Sequence, residues 1–201
     1  MLHHRVEYWL RNQHPALVAQ RDQRVVIVLH GKRPVEGETV ARALLDALSH
    51  PAEQMVIGIG RVADDAQDLR DSYNQAAETL DTLLSLNWQE GIMSFDQLGL
   101  LYWLRHLPPG VLQENRYLDR VYELAAYDRA HDSDLLETLE TYLDMGTTSS
   151  DAARKLSVHR NTLAYRLERI GELMKLDLQD PDCRVNLYVA IKSYRLHRDQ
   201  R

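Results

Sequence analysis

The sequence predicts an α+β/α protein: an N-terminal α/β domain, then an all-helical domain built around a helix-turn-helix. Three observations carry that expectation. Two runs rich in β-branched residues, Arg24–Leu29 (RVVIVL) and Met55–Ile59 (MVIGI), lie in the first half and read as buried strands. Pro108-Pro109-Gly110 then breaks the pattern sharply, which places the domain boundary there, with residues 1–107 before it and 112–201 after it. Beyond the break, apolar residues recur at helical spacing. Between Thr147 and Lys175 they outline a short helix, a tight turn and a longer helix.

Each element has its own warrant. Leu2–Arg11 is expected to be helical from Val6, Trp9 and Leu10, and to stop near Asn12 and Pro15. It opens abruptly, as if a partner strand preceded it, so the chain is expected to be the C-terminal portion of a longer protein. Ala16–Ala19 is the incoming strand of a hairpin that turns around Arg21-Asp22-Gln23 into Arg24–Leu29. Gly31–Gly37 is a loop by its Gly and Pro content. Val40, Leu44, Leu45 and Leu48 give Thr39–Leu48 a helical stripe. Leu69, Tyr73, Ala76, Ala77, Leu80, Leu83 and Leu84 do the same for a long helix from Asp65 to Leu86. Ile92–Phe95 is a short strand and Leu98–Leu107 a helix. In the second half, Leu118, Val121, Tyr122, Leu124 and Ala125 mark Tyr117–Ala130 as a helix. Asp132-Ser133-Asp134 supply caps for Leu135–Met145, which Gly146 ends. Leu176–Pro181 is a turn before a closing helix, Asp182–His197, whose apolar positions are Val185, Leu187, Tyr188, Ala190, Ile191 and Tyr194.

Composition narrows the class of protein. The 201 residues, 44% hydrophobic, suffice for two small cores. A single cysteine, Cys183, rules out an intrachain disulfide and reads as structural. No apolar run approaches the roughly 20 residues that span a bilayer, so no membrane partner and a cytoplasmic location are expected. The net charge of −6 argues at first against nucleic acid, but its distribution argues for it. Thr147–Lys175 holds six basic and three acidic residues, a local +3 on a body that sums to −9.

In that basic segment Ser149 or Ser150 can cap the first helix, and Ala152, Ala153 and Leu156 give it a close-packing face. Ser157 and Val158 make the turn. Ser157 stands where many such turns place Gly, which predicts a mildly strained backbone. His159-Arg160-Asn161-Thr162 opens the second helix, and Leu163, Leu167, Ile170 and Met174 form its buried stripe. Such a unit can present its second helix to the major groove of double-stranded DNA.

The string AARKLSVHRNTLAYRLERI, followed by LDLQDPDCRVNLYVAIK, resembles the C-terminal helix-turn-helix of the PucR/CdaR group of bacterial regulators. It follows that group's Ala-x-x-Leu-x-Val-His-Arg-Asn-Thr-Leu-x-Tyr-Arg-Leu motif and its downstream Leu-x-Asp-Pro, over Leu135 to about Leu196. Upstream, VVIVL, VIGIG and LRDSYNQAAETL resemble the degenerate cyclase-like domain that precedes this helix-turn-helix. The chain looks most like the sugar-diacid regulators. That resemblance implies control of carbohydrate-diacid genes and a small-molecule effector bound by an upstream domain absent from this chain.

The residue types at the reader suggest roles. Arg160 suits O6 and N7 of guanine, and Asn161 suits adenine. His159 can reach a base edge or a phosphate. Thr162, Arg166, Lys155 and Arg154 suit phosphates, with Ser150, Tyr165 and Arg169 on the same surface. Plainer readings stand beside these: capping for His159 and Thr162, an interface aromatic for Tyr165, and pairing of Arg166 or Arg169 with Glu168 or Glu172. Groove-reading helices usually work in pairs, so a homodimer is expected.

An enzyme is not expected, and neither is a cofactor. Active cyclases of the resembled superfamily carry Gly-Gly-Asp/Glu-Glu-Phe on a hairpin. With Arg24 in the last place, this chain reads Gln20-Arg21-Asp22-Gln23-Arg24. Both glycines are gone, and Asp22 alone cannot hold the divalent cations that phosphoryl chemistry needs. His3-His4 has no Cys or carboxylate at a supporting spacing, so no metal site is expected. A nucleotide-binding or protein-docking module without sequence-specific DNA binding is the alternative function.

Overall fold

The structure, a computed structural model, describes residues 2–11, 13–30, 37–48, 55–86, 88, 91–108, 110–111 and 114–197. The chain divides into two compact units, Met1–Leu100 and Leu101–Arg201, a division a few residues ahead of the Pro-Pro-Gly break.

The first unit mixes helices and short strands. In order they are α1 (Leu2–Leu10), β1 (Ala16–Arg21), β2 (Arg24–Leu29), α2 (Gly37–Leu48), β3 (Val56–Ile59), α3 (Ala66–Ser85) and β4 (Gly91–Ser94), then a single 3-10 turn, Phe95–Gln97. β1 and β2 form an antiparallel hairpin whose last pair is Arg21 with Arg24. β3 and β4 pair in parallel, Val56 with Gly91 through Ile59 with Ser94. The expected loop falls largely on residues 31–36, which lie outside the described residues, and Gly37 is already helical.

Two expectations about burial are corrected here. β2 and β3 are half-buried along their whole length rather than buried. Each has one hydrogen-bonded neighbour among the described residues, so Val25, Ile27 and Ile57 pack on the α1–α2 core of Val6, Leu10, Val40 and Leu44 from one side. On α3, Leu69 and Leu84 are exposed, and Thr79 and Thr82 take the buried positions beside Leu83. Both threonines are satisfied locally, donating to Gln75 O and Glu78 O at 2.8 Å. β3 lies close under α3 because Gly58 has no side chain. A Cβ there would meet Ala76 O at 2.5 Å and Leu80 N at 2.6 Å.

The second unit is all helix. α4 (Leu100–His106) starts at the end of the first unit. It is followed by α5 (Arg116–His131), α6 (Leu135–Asp144), α7 (Ser149–Lys155), α8 (Arg160–Met174) and α9 (Pro181–His197). Leu124 of α5, Leu139 of α6, Ile170 and Met174 of α8, and Leu187 and Ile191 of α9 meet in one core. Val185, expected on the apolar side of α9, is 64% exposed because it falls off that face.

The caps of α6 differ from expectation. Asp134 holds the N-cap position without a side-chain cap bond. Asp128, still inside α5, reaches across the turn and accepts from Leu135 N–H at 2.9 Å, Leu136 N–H at 2.8 Å and Ser133 Oγ at 2.6 Å. Gly146, at φ 60°, ends the helix as expected. Glu140 of α6 then binds two cations of α9, Lys192 at 3.0 Å and Arg195 at 2.8 Å, and so fastens those helices together.

Candidate nucleic-acid interface

α7 gives way to α8 within four residues. Val158 N–H donates to Ala153 O at 3.0 Å and Ser157 N–H to Arg154 O at 3.1 Å, the bond pair that closes a helix over a left-handed residue. Ser157 is that residue, at φ 55°. Its strain is the one the sequence implied. Val158 then packs with Ala152, Ala153 and Leu163, which sets α7 against the first turn of α8.

The start of α7 departs from the expected cap. Thr148 holds the N-cap position and makes no side-chain cap bond, so Ser149 and Ser150 are first-turn residues rather than caps. Ser150 is exposed, and so is Lys155 at the other end. Arg154 pairs with Asp151 on the same helix.

His159 caps α8. Its Nδ1 accepts from Asn161 N–H at 3.2 Å, which is the plainer of its two roles. A neutral imidazole accepting at Nδ1 carries its hydrogen on Nε2, which remains free to donate. Behind the cap the helix is two-sided. Leu163, Ile170 and Met174 are buried, with Leu167 half-buried beside them. Arg160, Asn161, Thr162, Ala164, Tyr165, Glu168 and Glu172 are exposed, Tyr165 at 68%. Among the described residues, Arg160 and Lys155 have no side-chain partner, so their donors are free for an external acceptor.

Two arginines are placed differently from the rest. Arg166 is half-buried and donates to Thr138 Oγ1 at 3.0 Å, while that hydroxyl donates to Asp134 O at 2.7 Å. Arg169, expected opposite the stripe, is also half-buried. It bonds Glu172 at 3.0 Å and lies 5.8 Å above the Tyr127 ring; hydrogen bonding to Tyr127 and then to Glu172 favours its charged form. The physical reason is helical phase. Positions 166 and 169 fall on the flank between stripe and exposed arc, where long side chains fold back onto α6 and α5. Glu168 shares the exposed arc, because its spacing of seven from Asn161 puts both on one line of the helix.

The hairpin tip carries Asp22 at φ 55°, flanked by Arg21 over Tyr73 (5.3 Å) and Arg24 bonded to Asp81, so it is occupied by internal contacts. The expectation that nothing supports His3 and His4 is corrected. Glu7 lies one turn on, and ligand atoms of the three residues fall within 4.8 Å of one another on a partly exposed surface. Cys183 is buried, and desolvation, with Asp180 and Asp177 nearby, raises its thiol above the ordinary 9.0. No helix among the described residues is long and apolar enough to cross a membrane.

Residues 135–193 match the PucR C-terminal helix-turn-helix domain, and residues 1–82 match a GGDEF-like domain. The chain belongs to the PucR family. It is 30% identical over 141 residues to the DNA-binding transcriptional activator AdeR of Bacillus subtilis (strain 168), covering 70% of this chain and 33% of that protein. To the proline-responsive transcriptional activator PutR of the same organism it is 34% identical over 142 residues, covering 67% and 33%. To the carbohydrate diacid regulator of Escherichia coli (strain K12) it is 43% identical over 58 residues, covering 29% and 15%. These relatives are regulators, not enzymes. The chain spans about a third of the length of the first two.

Proposed function

We propose that this chain is the DNA-reading end of a transcriptional regulator, with α8 laid in the major groove. The observation that carries it is the two-sidedness of α8: a buried apolar stripe against the core, and an exposed first turn on which Arg160 has no side-chain partner among the described residues. Arg160 reads guanine O6 and N7, and Asn161 reads adenine N6 and N7. Thr162, Tyr165, Lys155, Ser150 and the Nε2–H of His159 hold phosphates. Arg166 and Arg169 belong to the same surface chiefly by holding the helix that carries the readers.

The regulator acts in the cytoplasm as a homodimer on paired half-sites and controls catabolic genes. We place it with carbohydrate-diacid utilisation, on the likeness to the carbohydrate diacid regulator. Its effector binds outside this chain, in the part of the protein for which relatives about twice as long, among them a proline-responsive activator, have room. In-vitro selection of duplexes followed by footprinting tests the DNA-reading function. The expected result is one enriched site with two half-sites, abolished by Arg160→Ala; a pool that stays random would refute it. Sugar diacids added to the complete protein test the effector class, with a change in operator affinity as the supporting result.

A further inference from the structure

The exposed arc of α8 carries a carboxylate that the helix does not need. Glu168 is exposed and has no partner among the described residues. The residues three and four positions away are Ala164, Tyr165, Gly171 and Glu172, so none can neutralise it, and Glu172 repels it mildly. Glu172 itself is matched by Arg169 at 3.0 Å, which leaves Glu168 as the uncompensated acid of this face. Its direction is set by phase. Two helical turns separate it from Asn161, a rotation that returns to within about 20° of the same line. At 1.5 Å per residue the two lie about 10 Å apart along the axis, or about three base pairs of B-DNA.

A bare carboxylate brought into the major groove is repelled by phosphates and by the acceptors of guanine and thymine. It is tolerated where a base presents an amino donor, N4 of cytosine or N6 of adenine. We propose that Glu168 is a specificity-determining residue: it accepts a hydrogen bond from such an amino group, about three base pairs from the base read by Asn161. This rests on the DNA-reading function proposed above. It adds a second point of readout, one that works by rejecting wrong bases as much as by holding the right one.

Duplex selection with the wild-type chain, Glu168→Ala and Glu168→Gln tests it. The wild-type chain is expected to fix one cytosine or adenine at that position, and the enriched base says which amino group is read. Glu168→Ala is expected to lose about tenfold discrimination there while leaving the remaining positions intact. Glu168→Gln, which both donates and accepts, is expected to drift toward adenine. If both variants select the unchanged site and bind every duplex more tightly by one common factor, Glu168 acts through plain repulsion and the assignment is overturned. If the wild-type chain itself enriches no site, the DNA-reading function fails as well, so the two failures are distinguishable.

Discussion

Arg160 and Arg166 stand on the same helix, yet the structure gives them different work. Among the described residues Arg160 is exposed without a side-chain partner, whereas Arg166 gives a guanidinium hydrogen bond to the buried hydroxyl of Thr138. Arg160→Ala is therefore expected to erase about 1–3 kcal/mol of preference for operator over random duplex. Arg166→Ala is expected to weaken operator binding without changing the slope of log K against log salt, because only a lost phosphate contact lowers that slope by about one. Anisotropy titrations at several salt concentrations separate these outcomes. Thr138→Val should reproduce the Arg166→Ala loss, and a slope lowered in Arg166→Ala alone would return Arg166 to the DNA backbone. Ser157 offers a stability test of the turn. A left-handed non-glycine costs about 1–2 kcal/mol, and a glycine there gives back about 0.5–1 through the unfolded chain. Ser157→Gly should thus raise unfolding free energy by roughly 0.5 kcal/mol in urea titrations; a loss would show that the serine hydroxyl matters.

At the scale of elements, the helices and strands were legible and the bonds that start and join them were not. Periodicity locates α8 and its stripe because Leu163, Ile170 and Met174 repeat at a spacing that only one helical face can satisfy. It cannot show that Asp128 caps α6 from inside α5, since that bond crosses a reversal of the chain. Nor does it say which residue on a flank folds back, so it leaves Arg169 on the open face and gives no sign that Thr79 belongs to the α3 core. Asp128→Ala should therefore lower stability by about 1–2 kcal/mol, the cost of losing an N-cap, although Asp128 is no helix start itself. Glu140 makes a second joint that only the structure reveals. Burial lowers the Lys192 pKa, but Glu140 and then Asp144 outweigh it and hold the ammonium above its ordinary 10.5. A raised lysine lends stability that is complete below the unfolded value and is lost as pH rises through the folded one. Urea midpoints should accordingly hold from neutral pH to about pH 10 and fall beyond it, and Lys192→Met should flatten that fall. Glu140→Gln should cost about 2 kcal/mol, less than the ~3–5 of a fully buried pair because Asp144 still holds Lys192.

For the whole molecule, charge and the proposed pairing of two copies bear on how DNA is found. A +3 segment on a chain of net charge −6 concentrates the attraction for DNA in that segment, so non-specific binding should be weak and should fall steeply as salt rises. One α8 can contact only a few bases, too few for a unique address, and in the proposed homodimer a second copy would supply the rest. If the two copies bind as a fixed pair, their half-sites must lie about 34–36 Å apart, one turn of the duplex. Inserting five base pairs between half-sites rotates one of them to the opposite side of the DNA, whereas inserting ten restores the facing. Affinity measured on these two duplexes should fall at least tenfold for the first and recover in part for the second. A chain that binds all three spacings equally reads its half-sites as a monomer. The copies would then owe their pairing to segments outside this chain.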